Sequence, residues 1–271
     1  MTNTEERRHS IFRSAGQDAE AASQIPDTAQ TRHPAYRLAF EDLDFLRRDG
    51  MRAVRFQLEL LKAEVMMTEA GIESTVVLFG GARIPDPLHR DTARTGTLAD
   101  LSRYYQEARK FAALAGAESC ASDGRDFVVV TGGGPGVMEA GNRGAQEVGA
   151  KSIGLNIVLP HEQAPNTYVT PELCFNFHYF ALRKMHFLMR ARAVAAFPGG
   201  FGTLDELFET LTLIQTDRMD RVPVLLFGEA FWRRIVNWEA LAEAGTISPE
   251  DLDLFRFVET AEEAWEIIRP S

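Results

Sequence analysis

The chain has 271 residues, 45% of them hydrophobic and 25% charged, and a formal net charge of -10; that is enough apolar material for one large core. The acidic balance excludes a surface built to hold a polyanionic backbone, which relies on clustered Lys and Arg, but a small anion can still be held by local backbone geometry. Cys120 and Cys174 lie in no Cys-x-x-Cys pair, so neither a zinc site nor a disulfide framework is expected; the polar N-terminus and the lack of any apolar run of spanning length set the expectation of a cytoplasmic protein with no membrane or nucleic-acid partner.

Residues 1–35 are rich in Ser, Thr, Gln, Ala and Glu and close on His33-Pro34, a composition that predicts a disordered arm ahead of a single domain over 36–271. Next, Leu38, Phe40, Leu43, Phe45 and Leu46, then Val54, Leu58, Leu61 and Val65, recur at helical spacing with a break at Asp49-Gly50. They predict two helices before the main fold. After Gly71 short β-branched or aromatic runs alternate with helical segments. Strands are predicted at 75–79, 127–131, 152–158, 173–177, 193–197, 222–227 and 255–258. Helices are predicted at 98–115, 137–148, 180–192, 203–216, 230–244 and 261–268. Near-continuous apolar strands imply burial on both faces, hence an α/β chain with a doubly wound parallel sheet of about seven strands and helices on both faces. Such a sheet binds its ligands at the carboxyl ends of its strands, near the point where strand order reverses.

Three predicted strands end in glycine turns: Gly80-Gly81-Ala82-Arg83, Gly132-Gly133-Gly134-Pro135-Gly136 and Gly199-Gly200-Phe201-Gly202. In a parallel sheet all three converge on one rim. Glycine lets a ligand approach the amide hydrogens, and a following helix adds its unsatisfied N–H groups and positive dipole end, so together they describe an anion site. The dinucleotide fingerprint fails because Val137 stands where the third glycine is required, and no Gly-Lys-Ser/Thr supplies a Walker loop. Thr203 stands where its hydroxyl either caps a helix or binds a phosphoryl oxygen. Glu206, one turn in, reaches a sugar bound beside that phosphate, or else compensates the helix dipole; Glu209 shares its face and Asp205 does not. Arg183-Lys184 lies at the start of the helix after the fourth strand, where cations oppose the dipole. That placement points to a fixed anionic partner, either a substrate phosphate or a carboxylate such as Glu206. His161, His178 and His186 show no metal-ligand spacing, and neither metal nor cofactor is expected.

The combination of Gly132-Gly-Gly-Pro-Gly-Val-Met138, Arg183-Lys184 and Pro198-Gly-Gly-Phe-Gly-Thr-Leu-Asp-Glu206 resembles the LOG ("lonely guy") family, a Rossmann-like group long labelled lysine decarboxylases. The resemblance runs from about Thr75 to Ile268 and is most specific in Pro-Gly-Gly-x-Gly-Thr-x-x-Glu. It implies hydrolysis of the N-glycosidic bond of a nucleoside 5'-monophosphate, either AMP or a cytokinin riboside monophosphate, by a homodimer with sites near its interface. It also implies Arg183 and Glu206 as the catalytic pair, with Arg183 keeping the Glu206 carboxylate ionised. Gly133, Gly134, Gly136, Gly200, Gly202 and Thr203 would form the phosphate cradle, and Gly81, Met138, Lys184 and Gly199 complete the expected substrate-binding set. The chain departs from shorter members in its N-terminal region, in the 79–85 turn and in the 159–166 stretch. Two other readings stand beside this one. A non-catalytic carrier of a nucleotide or of molybdenum cofactor shares the fold and the turns without needing the carboxylate, and a pyridoxal-phosphate decarboxylase demands a Schiff-base lysine among Lys62, Lys110, Lys151 and Lys184.

Overall fold

A computed structural model describes residues 12–160 and 164–269; the first eleven residues of the expected arm lie outside the described residues. The chain divides into two compact units, Met1–Leu58 and Glu59–Ser271. In the first, α1 (Ala15–Ser23) opens on a capping box in which the Ser14 hydroxyl accepts from the Gln17 amide and the Gln17 side chain accepts from the Ser14 amide, at 3.2 and 2.9 Å. Thr28 caps α2 (Ala29–Arg32) in the same way. Neither helix buries a residue, so this stretch of the expected arm is shaped by local hydrogen bonds rather than by a core. The first of the two predicted leading helices shrinks to one turn, α3 (Leu43–Leu46), because the Asp42 carboxylate accepts the Phe45 amide at 3.0 Å and fixes the start there. The second is α4 (Arg52–Glu69).

The second unit is a seven-stranded sheet: β1 (Thr75–Phe79), β2 (Val128–Thr131), β3 (Ser152–Ile157), β4 (Cys174–Phe177), β5 (Ala191–Ala196), β6 (Val224–Phe227) and β7 (Arg256–Val258). Every pairing is parallel and the order is 4-3-2-1-5-6-7. The chain walks outward from β1 to β4, then returns to place β5 on the other side of β1, so strand order reverses between β1 and β5. β1 and β2 are buried at every residue, which is why their sequences show no alternation. Between the strands run α5 (Gly96–Asp100), α6 (Arg103–Ala121), α7 (Val137–Glu147), α8 (Phe180–Leu188), α9 (Phe201–Gln215), α10 (Glu229–Ile235), α11 (Trp238–Glu243) and α12 (Ala261–Ile268). Val76 and Leu78 of β1 join one core with Tyr105, Phe111, Val137 and Ala264 of α6, α7 and α12. On the opposite face Phe79 meets Phe187 of α8 edge to face, ring centres 5.0 Å apart.

Three predicted helices of this unit differ most from the sequence expectation, its remaining elements shifting by at most two residues at their ends. The 98–115 helix is two, α5 and α6, and the 230–244 helix is interrupted before α11, where Asn237 starts a new helix by accepting the Ala240 amide at 3.1 Å. The apolar run over 180–192 hides a helix-to-strand change: α8 stops at Leu188 and β5 begins at Ala191. Arg190, in the joint, is fixed by a two-pronged pair to Glu64 of α4, both contacts 2.7 Å, and its carbonyl accepts the Thr75 amide at 2.8 Å. Glu59 of α4 accepts the His178 and Tyr179 amides ahead of α8, at 2.8 and 3.1 Å, so this helix is positioned from both ends by α4 carboxylates.

A polar chain is sealed inside the sheet. Thr131 donates to the Asn142 carbonyl at 2.7 Å, Asn142 donates to the Ser152 hydroxyl at 3.0 Å, and Asn166 donates to the same Asn142 oxygen at 2.9 Å. Asn142 is fully buried, so losing its side chain strands several partners away from water. Asn142→Ala is expected to destabilise the fold by about 1–3 kcal/mol, read as a lower midpoint in urea unfolding with the slope unchanged.

Candidate active site

The reversal between β1 and β5 opens a cavity of about 840 Å³ at the carboxyl ends of these strands. The turns after β1 and β5 form its floor, with Gly132 from the turn after β2. The Gly81 amide donates to the Pro198 carbonyl at 2.9 Å, and the Gly81 carbonyl accepts the Ile84 and Val137 amides, each at 3.3 Å. Gly136, at φ +68°, closes against this joint: a Cβ there would lie 2.4 Å from the Gly81 oxygen. A side chain at 136 would therefore push the β1 and β2 turns apart.

Two helices bring the charged groups. α9 starts directly after Gly200 with no side-chain cap. Thr203 and Glu206, exposed by only 6% and 7%, both line the cavity. Burial pushes the Glu206 carboxyl up to about 7; Lys184 and Arg183 pull it down, and Glu209 and Asp205 add to the rise. Arg183 thus acts in the expected direction, favouring the ionised carboxylate, but together with Lys184 it offsets only part of the effect of burial. Arg183, on α8, lines the same cavity, donates its Nε to the Leu155 carbonyl at 2.6 Å and lies 5.2 Å over the Phe187 ring. Gly132 is its bed, since a Cβ there would stand 2.6 Å from an Arg183 terminal nitrogen.

The remaining expected residues divide. Gly81, Met138, Gly199, Gly200, Gly202 and Thr203 line the cavity with Arg183 and Glu206. Gly133, Gly134 and Gly136 do not, and their backbone is engaged in holding the turn: the Gly133 and Gly134 carbonyls each accept the Asn166 side-chain amide at 3.0 Å. Lys184, expected to bind substrate, instead bridges Asp205 and Glu209 at 2.8 and 2.9 Å and does not line the cavity. Burial disfavours its charge, but the two carboxylates prevail and raise its pKa. The fixed anion that the sequence called for is this acid pair, four residues apart on one face of α9. Phe201 was read from the sequence as part of the glycine turn, but the rest of the aromatic and aliphatic wall, Leu98, Leu101, Phe180, Phe231 and Ile235, was not read as part of a site. These apolar residues in and beside α5, α8 and α10 look like ordinary core in the sequence. No lysine lines the cavity among the described residues, leaving a Schiff-base chemistry without its nucleophile.

Residues 138–268 match the family model described as "Possible lysine decarboxylase". The cytokinin riboside 5'-monophosphate phosphoribohydrolase LOG3 of Arabidopsis thaliana is 28% identical over 143 residues, covering 51% of this chain and 65% of LOG3, so the chain spans less than two thirds of that relative. Among solved structures, the chain is similar to TM1055, a structural-genomics target, at 20% identity and TM-score 0.47, covering 72% of this chain and 98% of that one. It is also similar to the molybdenum cofactor binding protein from Rippkaea orientalis at 19% identity and TM-score 0.45, covering 73% and 96%. Among the described residues no cluster of three metal-ligating side chains occurs and no helix is long and apolar enough to cross a membrane.

Because Lys184 is the largest opposing charge on Glu206 and also neutralises Asp205 and Glu209, Lys184→Met removes attraction and unmasks repulsion together. The Glu206 carboxyl is expected to titrate at higher pH in this variant than in the parent, which carbon-13 NMR of the labelled side chain reads directly.

Proposed function

We propose that the chain hydrolyses the N-glycosidic bond of a purine nucleoside 5'-monophosphate, AMP or a cytokinin riboside 5'-monophosphate, to free base and ribose 5-phosphate. The observation that carries this reading is Glu206: a carboxyl buried in the cavity wall, in the second turn of an uncapped helix that follows a glycine turn, with Arg183 facing the same space. The glycine turns and helix end accept the phosphate through backbone N–H groups. Breaking a ribosyl–nitrogen bond builds positive charge on the sugar, as in glycosidase transition states. An ionised Glu206 stabilises that charge and orients the water whose oxygen bonds to C1' as the C1'–N bond breaks, the proton shed by that water balancing the one the departing base takes up. Since burial opposes ionisation, the carboxylate is poorly solvated in the cavity wall and gains most from the cation formed in the transition state. Arg183, held by the Leu155 carbonyl and the Phe187 ring, orients the sugar against it. A carrier of nucleotide or molybdenum cofactor has no use for a carboxyl desolvated at this point, which favours the enzyme.

The reading extends to a cytoplasmic homodimer. The resemblance to LOG proteins supports it, as do the exposed Leu61 and Val65 of α4 and the exposed Met185 of α8.

Incubation with AMP and with isopentenyl-adenosine monophosphate, followed by chromatography for free base, tests the activity; absence of base release from any nucleoside monophosphate sinks it. Glu206→Gln is expected to lower kcat by about 10²–10³-fold, the loss typical of one preorganised group. In the parent enzyme kcat/KM is expected to rise with pH through about 7 as Glu206 ionises.

The same shift has a stability consequence of fixed sign. With a folded-state pKa above the unfolded one, the folded form holds the extra proton between about 4.5 and 7, so stability falls as pH rises through that window. Glu206→Gln removes this penalty. Thermal melts are expected to show the variant more stable than the parent at pH 8, by about 3 kcal/mol, with the difference closing by pH 4.

A further inference from the structure

Two of the residues lining the cavity are arginines, Arg83 and Arg183. Arg183 is engaged by the Leu155 carbonyl and the Phe187 ring. Arg83 differs: among the described residues no hydrogen bond or ion pair involves it. The nearest acid in sequence, Asp86, is taken, since one oxygen pairs with Arg143 at 2.9 Å and the other accepts the Leu88 amide at 3.0 Å. Of the acids in the cavity wall, Asp205 is bridged by Lys184, and Glu206 is the carboxyl whose charge burial disfavours.

The turn that presents Arg83 is rigid. Residues 81–84 close on the Ile84 amide to Gly81 carbonyl bond, the Gly81 amide is tied to Pro198, and Ile84 is buried at 2% exposure immediately after Arg83. A guanidinium on such a support loses little freedom on binding and offers a planar fork suited to phosphoryl oxygens. A second group points to the same ligand. Thr203 is 94% buried by its 6% exposure, lines the cavity, and has no hydrogen-bond partner for its hydroxyl among the described residues. It stands in the first turn of the 15-residue α9, whose amides no side chain caps.

We propose that Arg83 recognises the phosphate monoester of the ligand and sets the preference for a phosphorylated over an unphosphorylated sugar. The turnover arm of the test rests on the nucleotide reading above; the binding arm does not. Ribose 5-phosphate and ribose are titrated calorimetrically into the parent protein, Arg83→Gln and Arg83→Lys. The parent is expected to bind ribose 5-phosphate well ahead of ribose, and Arg83→Gln to weaken ribose 5-phosphate by about 10–100-fold, as for a lost charge-assisted contact. Arg83→Lys, keeping the charge without the fork, falls between them. Since Arg83 supports nothing else in the described residues, the variants are expected to melt with the parent, which separates lost binding from lost fold. With nucleoside monophosphate as substrate, Arg83→Gln raises KM by a similar factor, more than it lowers kcat. Equal affinity of parent and Arg83→Gln for ribose 5-phosphate, or a parent that does not distinguish it from ribose, overturns the assignment. Arg83-dependent binding in a protein that hydrolyses no nucleotide upholds Arg83 and overturns the hydrolase reading.

Discussion

Gly81 is where three strand ends meet. Its amide reaches across to the β5 turn through Pro198, its carbonyl serves both its own turn and the first amide of α7, and Gly136 lies close enough to that carbonyl to exclude any side chain. No ligand is needed to hold the crevice open in this arrangement, because the backbone groups of one turn are spent on the next. The cost falls on sequence freedom. Gly136 is fixed by the approach of main chain to main chain and Gly133 by its φ of +74° and the Asn156 side chain beside it, and neither lines the cavity. This cavity depends as much on glycines that build its surroundings as on those that face it.

Charge in this crevice is arranged against solvation. Lys184, Asp205 and Glu209 neutralise one another at the outer side of α8 and α9, which leaves Glu206 with attraction too weak to repay its burial. The same three groups also fasten α8 to α9, so the helix that carries Arg183 and the helix that carries Glu206 are held in register by an ion bridge that meets the cavity only through Asp205. The second support of α8 comes from Glu59 and Glu64 on α4, which grip the amides ahead of the helix and the arginine after it.

The sheet was legible because its signal is local. β1 is found where its four apolar residues follow Thr75, and α12 where Thr260 caps it by accepting the Glu263 amide. The end of α8 was not, since Met189 to Arg192 carry the same apolar and basic residues whether they close a helix or open a strand, and only pairing with β1 decides. The Pro198 to Glu206 motif announced its turn and its acid, but not the acid's protonation, which is a matter of how much water the fold removes. Lys184 was misplaced for a related reason: a sequence shows which charges exist, whereas partners on another helix appear only once the helices cross. Asn166 and Arg83 had no such signal. One is an amide in an irregular stretch, the other an arginine among 29 basic residues, and what sets them apart is the set of bonds each does or does not make.

The wall of the cavity includes Phe180 and Phe201, the second 92% exposed at the first position of α9. An aromatic ring left in water at the edge of a polar turn is apolar surface awaiting cover. Occupancy of the cavity therefore carries a thermal mark of its own, a negative change in heat capacity as those rings lose their hydration. That mark follows from the wall and not from the identity of the base, and it accompanies a substrate, a product or an inert analogue alike.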